Sequence, residues 1–73
     1  MKELLERYNY HHFGHCNCDG YPTEKYRAGD FEIRVRESKN LFKIKRMGQS
    51  ITKWESLQLL QQTLQNIHTY AAV

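Results

Sequence analysis

The sequence is poor in residues that interrupt or cross-link a chain, with one proline, four glycines and two cysteines among 73 residues. Two cysteines cannot supply the disulfide framework that stabilises many small secreted domains. No apolar run approaches the roughly 20 residues of a membrane-spanning helix. The remaining composition, 40% hydrophobic and 26% charged, is typical of one small, water-soluble globular domain. Because so small a core seldom supports a deep pocket, we expect a binding protein rather than an enzyme.

The N-terminal residues MKELLER lack the apolar stretch and the cleavage site of a secretory signal, so we expect a cytoplasmic protein. Cys16 and Cys18 are separated by a single residue. A disulfide between them would close a small strained ring, and we therefore expect both as reduced thiols.

The net charge of +3 is unevenly distributed along the chain. Residues 1–24 carry −2 and residues 54–73 carry −1, whereas residues 25–53 carry +6 from nine cations and three acids. The basic character is therefore confined to the middle segment, and this segment has the pattern of β-structure.

Two stretches in the middle segment alternate strictly between apolar and charged residues, which predicts strands at residues 31–36 and 41–46. Residues 37–40 have turn-forming side chains, so the two strands form a hairpin. Residues 24–27 add a third strand through a turn at residues 28–30. The alternation directs Phe31, Ile33, Val35, Phe42 and Ile44 inward, and it leaves the charged residues on the other face.

Helices are expected at both ends of the chain. Leucines and a tyrosine at helical spacing predict a short helix over about residues 2–9. Thr52 and Glu55 have capping-box spacing, which predicts that a second helix begins there. Its apolar stripe covers the inner face of the sheet and consists of Trp54, Leu57, Leu60, Leu64, Ile67 and Ala71. The predicted fold is a single α+β domain of order α-β-β-β-α, with an irregular His/Cys-rich loop at residues 10–22 and a frayed tail at residues 69–73.

The outer face of the predicted sheet is the first candidate site. It collects six cations: Lys25, Arg27, Arg34, Arg36, Lys43 and Lys45. Clustered cations suit a polyanion, so these residues are expected to contact the phosphates of DNA or RNA. Rings for base stacking are missing in this register, because Phe31 and Phe42 point inward and only Tyr26 is undecided. An ordinary solvated sheet face is the alternative interpretation.

The loop contains a second candidate site, because three histidines and two cysteines lie between residues 11 and 18. The predicted zinc ligands are His12, His15, Cys16 and Cys18, with His11 and Asp19 as substitutes and His68 as a remote candidate. The spacing is unlike that of structural zinc sites, which bring two ligand pairs from separate parts of the chain. Ordinary loop residues are the alternative, and a Cys-His nucleophile lacks any sign of an orienting group or a pocket.

The exposed side of the C-terminal helix is nearly uncharged, so it could face a second copy of the chain or another protein. The residues predicted for this interface are Leu59, Gln58, Gln62 and Gln65. A helix that packs only on its own sheet is the alternative.

These patterns predict a small, non-enzymatic nucleic-acid-binding accessory protein that contacts phosphates through a basic sheet face. The alternative is a protein-interaction module, an adaptor or inhibitor that docks the same face on an acidic protein surface. Zinc, if bound, would organise the loop in either case.

Overall fold

The computed structural model describes residues 2–17 and 20–71, without the side chains of residues 69–71. Helix α1 spans Lys2–Arg7 and is followed by four strands: β1 (His11–Cys16), β2 (Thr23–Ala28), β3 (Phe31–Arg36) and β4 (Leu41–Arg46). Two short strands, β5 (Gln49–Ser50) and β6 (Glu55–Ser56), lead to helix α2 (Leu60–Ala71). Neither described helix has the length and apolar character needed to span a membrane.

The predicted α+β class is confirmed, but the three-stranded sheet was an undercount. Every described strand pair is antiparallel, in the order β1-β2-β3-β4-β5, and β6 pairs with β4 beside β5. The strands predicted at residues 31–36 and 41–46 match β3 and β4 to the residue. The predicted irregular loop at residues 10–22 was wrong in its first half, because His11–Cys16 form an edge strand.

Helix α1 ends in a Schellman motif that turns the chain into β1. Asn9 has a left-handed backbone (φ 65°). The Tyr10 amide donates to the Leu5 carbonyl, and the Asn9 amide donates to the Glu6 carbonyl. Leu5 and Tyr10 are both fully buried, so this turn also anchors α1 on the core.

The core lies between the inner face of the sheet and the two helices. Its fully buried members are Leu5, Tyr10, Ile33, Val35, Phe42, Ile44, Leu60 and Leu64. The inward direction predicted for the apolar residues of β3 and β4 is therefore correct. Leu57 and Ile67 pack against the core from the predicted stripe. Ala71, the last member of that stripe, lies outside the described side chains.

The helix predicted to begin at Thr52 begins eight residues later. The Thr52 hydroxyl accepts from the Ile44 amide at 3.0 Å and donates to the Lys53 carbonyl at 2.9 Å, so it pairs the edge of β4 instead of capping a helix. Ser56 caps the following 3₁₀ turn at Leu57–Leu59, accepting from the Gln58 amide. Trp54 consequently lies in a loop and is absent from the α2 stripe. Residues 72 and 73 of the predicted frayed tail lie outside the described residues.

Candidate nucleic-acid interface

The strand register aligns the predicted phosphate-binding residues in two rows across the sheet. In one row Lys25 pairs with Arg34, and Arg34 with Lys43. In the other, Arg27 pairs with Glu32, and Glu32 with Lys45. We call the side of β2, β3 and β4 that carries these rows and Arg36 the outer face. Because paired residues share a face, the sequence-based placement of these cations together is supported.

The outer face of these three strands carries six cations and one carboxylate, a formal charge of +5. Glu32 is that carboxylate. It accepts a hydrogen bond from Arg34 Nε at 2.6 Å and lies 3.8 Å from Arg27 Nη2. Among the described residues, Lys25, Lys43 and Lys45 have no ion-pair partner. The three lysines are therefore outer-face cations whose charge no described carboxylate offsets.

Arg36 differs from the other five cations because it is buried, with 8% of its surface exposed. Its Nε donates to the Thr23 hydroxyl at 3.2 Å. Its guanidinium lies 4.0 Å from the centre of the Trp54 ring and 5.4 Å from that of Tyr21. A guanidinium that is enclosed in this way stabilises the fold and is poorly placed to bind a phosphate.

Aromatic rings flank the cations of the outer face, contrary to the sequence-based prediction that rings are missing there. Phe13 lies 4.4 Å from the Arg27 guanidinium, at the β1 side of the face. Trp54 also approaches the Lys43 ammonium, at 5.8 Å, and Tyr21 lies 4.7 Å from the Lys39 ammonium. Phe13 and Tyr21 are 43% and 38% exposed.

The sequence pattern does not indicate the rings of Phe13 and Trp54, because it places Phe13 in an irregular loop and Trp54 on the inner stripe of a helix. The undecided ring, Tyr26, packs against the core and lies 5.2 Å from the His12 ring. Pairing of Tyr26 with Ile33 confirms that it faces inward. A single sequence offers no periodic signal for an aromatic residue in a loop that returns over a sheet.

Two of the predicted metal ligands converge on Glu24 instead of on a cysteine. His12 Nε2 and His15 Nδ1 donate to the two carboxylate oxygens of Glu24, at 2.8 and 3.1 Å. Residues three apart in a regular strand point to opposite faces, but the register of β1 shifts between His12 and Gly14. This bulge turns both histidines to the inner side. Their hydrogen bonds lower the pKa of Glu24 below its ordinary value.

The predicted zinc set of His12, His15, Cys16 and Cys18 is not assembled by the part of β1 that the structure describes. Cys16 pairs with Thr23 on the outer side, away from both histidines. Its sulfur is in a disulfide, which corrects the expectation of a reduced thiol and removes it as a nucleophile or metal ligand. Cys18 and Asp19 lie outside the described residues. Within residues 2–17 and 20–71, no group of three or more His, Cys, Asp or Glu side chains has a metal-binding arrangement.

His11 and His68, the other histidines considered as ligands, lie apart from this cluster. His11 pairs with Arg27 and is exposed. His68 packs among the rings of Tyr8, Tyr10 and Phe31, at centroid distances of 5.1, 5.6 and 5.4 Å. Its imidazole Nε2 forms a hydrogen bond with the Tyr10 hydroxyl at 3.0 Å. His68 therefore belongs to the packing between α2 and the sheet.

The residues predicted for a partner interface are exposed, and they divide between two elements. Gln58 and Leu59 lie in the 3₁₀ turn, and Gln62 and Gln65 lie on α2. Leu59 is 43% exposed. Self-association through this surface stays a prediction.

A groove of about 640 Å³ opens beside the N-terminal ends of the two helices. Its lining residues are Lys2, Leu4, Tyr26, Glu37, Leu57, Gln58, Leu60 and Gln61. No histidine, cysteine or serine is among these described lining residues, so they provide no nucleophile paired with a histidine base. The outer face is accordingly the better candidate site.

Comparisons of the chain with models of protein families, with curated proteins and with solved structures found no match.

Proposed function

We propose that the protein is a small nucleic-acid-binding accessory protein that contacts phosphates through the outer face of its sheet. The observation that supports this most directly is the row formed by Lys25, Arg34 and Lys43 on adjacent strands. Adjacent strands lie about 4.8 Å apart, so this row places three like charges within about 10 Å. Their mutual repulsion is relieved when a polyanion binds and its counterions are released.

The second support is the separation of charge between the two sides of the sheet. Glu32 is the one acid that β2, β3 and β4 direct to the outer face. Glu24, by contrast, faces the inner side together with His12 and His15. A nucleic acid approaching the outer face therefore meets a predominantly positive surface, which also accelerates association.

The test is binding to labelled single- and double-stranded DNA and RNA across about 50 to 200 mM salt, followed by fluorescence anisotropy. The informative variant is the double substitution Lys25→Gln and Lys43→Gln, because both lysines lack ion-pair partners among the described residues. We expect weaker binding and a slope of log affinity against log salt that is smaller by about 2.

The matched control removes two charges from α1 by Lys2→Gln and Arg7→Gln, which are exposed and lie on another element. It changes the net charge equally and is expected to leave the salt slope unchanged. Equal losses in the two double variants would mean that net charge alone carries the binding. No binding at about 50 mM salt would overturn the proposal and leave docking on an acidic protein surface as the competing function.

A further inference from the structure

The aromatic rings beside the outer face indicate which form of nucleic acid binds there. This inference rests on the proposed function. Phe13 lies 4.4 Å from the Arg27 guanidinium, and Tyr21 and Trp54 lie 5.4 and 4.0 Å from that of Arg36, so each ring contacts a cation of the outer face. Cations and rings are therefore interleaved on one surface. A ligand that contacted the protein only through phosphates would need the cations and would not need the rings.

The rings lie at two sides of the cation row. Phe13 belongs to β1, whose Gly14 pairs with Lys25 at one end of the row. Trp54 contacts Lys43 at the other end, on β4. Three strand spacings separate β1 from β4, a distance of about 14 Å. A chain of nucleotides crossing the strands would meet a ring, then the cations Lys25, Arg34 and Lys43, then a second ring.

Gly14, the β1 residue that pairs with Lys25, adds no side chain at that end of the cation row. A Cβ atom at Gly14 would lie 3.7 Å from Lys25 Cδ, so the aliphatic part of Lys25 extends over the glycine. Phe13, the neighbouring residue, holds its ring against Arg27. The register shift at this point lets Phe13 and Gly14 occupy the same stretch of the edge strand.

Rings that lie beside cations favour single strands for a physical reason. In a duplex the faces of the bases are covered by neighbouring bases, so a flat ring on the protein finds only an edge or a phosphate. In a single strand the bases are free to stack on such rings, while the cations follow the backbone. Stacking tolerates every base, because each has a π-face.

We infer that the ligand of the outer face is a single-stranded nucleic acid, with phosphates on Lys25, Arg34 and Lys43 and with bases stacked on Phe13, Tyr21 and Trp54.

Trp54 gives a direct readout, because it is the one tryptophan in the sequence. Oligonucleotides of about 12 nucleotides, oligo-dT and oligo-rU, are titrated into the protein and compared with a duplex of the same length. We expect quenching of Trp54 emission that saturates with the single strands, and tighter binding of single strands than of the duplex. The two oligonucleotides differ in the sugar 2′-hydroxyl and in the 5-methyl group of thymine, and they compare DNA with RNA as the preferred strand.

The ring variants are Phe13→Leu and Tyr21→Leu, which keep an apolar side chain but remove the flat face. Each is expected to weaken single-strand binding by about five-fold or more and to leave duplex binding within about two-fold. The matched control is Ile51→Ala, because Ile51 is 44% exposed, close to the 43% of Phe13, but follows β5 and lies opposite the inward-facing Ile44. Its affinity for single strands should equal that of the unchanged protein. Melting curves confirm that each variant is folded.

The outcomes separate this inference from the proposed function. Three results overturn the stacking of single strands but retain phosphate contact: tighter binding of the duplex, unchanged Trp54 emission on binding, or single-strand affinity that survives both ring substitutions. An absence of binding to every nucleic acid at about 50 mM salt overturns the proposed function itself.

Discussion

The guanidinium of Arg36 lies over the ring of Trp54 at 4.0 Å, and this contact joins the last residue of β3 to the loop before β6. Arg36 is buried and also donates to Thr23 on β2. One side chain therefore fixes the Trp54 loop and the start of β2 relative to β3. Arg36, which the sequence pattern groups with five other cations, therefore has a structural role.

We expect Arg36→Lys to destabilise the protein by about 1 to 2 kcal/mol. The ammonium of lysine cannot reproduce both the planar stacking on Trp54 and the Nε hydrogen bond to Thr23. Lys45→Gln is the comparison, since it removes a charge from the same face without a described ion pair, and it should change stability by less than about 0.5 kcal/mol. Urea unfolding measures both, and an Arg36→Lys variant as stable as the unchanged protein would contradict the structural role.

The second prediction concerns pH and His68. Burial lowers the pKa of His68 below its ordinary value of 6.5. The unfolded chain therefore takes up a proton at a higher pH than the folded chain does. The stabilising contribution of neutral His68 is complete above about pH 6.5 and is lost as the pH falls through the lower, folded-state pKa.

We expect the melting temperature to fall as the pH is lowered from about 7.5 to about 5.5, and to fall less in the His68→Phe variant. Phenylalanine keeps a ring beside Tyr8 and Phe31 but does not titrate. Burial raises the pKa of the Tyr10 hydroxyl to about 12. The variant loses the hydrogen bond to this hydroxyl, so its free energy of unfolding should be lower at neutral pH. The decisive readout is the slope against pH, and equal slopes for the two proteins would refute the assignment to His68.

The third prediction tests the hydroxyl of Thr52 at the edge of β4. Thr52→Val keeps the shape of the side chain but leaves the Ile44 amide without its acceptor. We expect a loss of about 1 to 3 kcal/mol in the free energy of unfolding. Thr52→Ser retains the hydroxyl and should retain most of that stability. If Thr52 were a helix cap after all, valine would lower the helical signal in circular dichroism at the same time.

The fourth prediction is a stabilising change at the β4–β5 hairpin. Met47 and Gly48 both have positive φ, 51° and 84°, between the paired residues Arg46 and Gln49. This is the conformation of a two-residue type I′ turn, which favours asparagine followed by glycine. Met47 is 78% exposed, so little packing is lost on replacement.

Met47→Asn should raise the free energy of unfolding by about 0.5 to 1 kcal/mol, because asparagine tolerates the left-handed backbone better than methionine does. Met47→Ala keeps the same backbone cost and should have nearly the stability of the unchanged protein. Chemical denaturation distinguishes the two. An alanine variant as stable as the asparagine variant would show that the exposed side chain, and not the backbone, is responsible.

The strands β3 and β4 could be predicted to the residue because one of their faces is buried and the other is charged. Phe42 and Ile44 alternate with Lys43 and Lys45, and this alternation directly reflects burial. The cations of the outer face followed from the same pattern.

Strand β1 could not be predicted in this way, because it lies at the edge of the sheet and most of its residues are exposed. Its bulge also breaks the period of two, so that His12 and His15 share a side. The Thr52 misassignment has a different physical cause. A threonine hydroxyl that accepts from a backbone amide is equally suited to a helix terminus and to a strand edge, and only the fold determines which amide is near.

The two edges of the sheet affect how copies of the protein behave when they are close together. β1 is interrupted by a bulge, β5 is two residues long, and Thr52 occupies the edge of β4 between β5 and β6. Long, regular edges invite pairing between copies and the growth of fibres, and bulges and short strands discourage it. Copies of a protein that are held close together are exposed to that hazard. The irregular edges of this sheet therefore disfavour pairing between copies that are held close together.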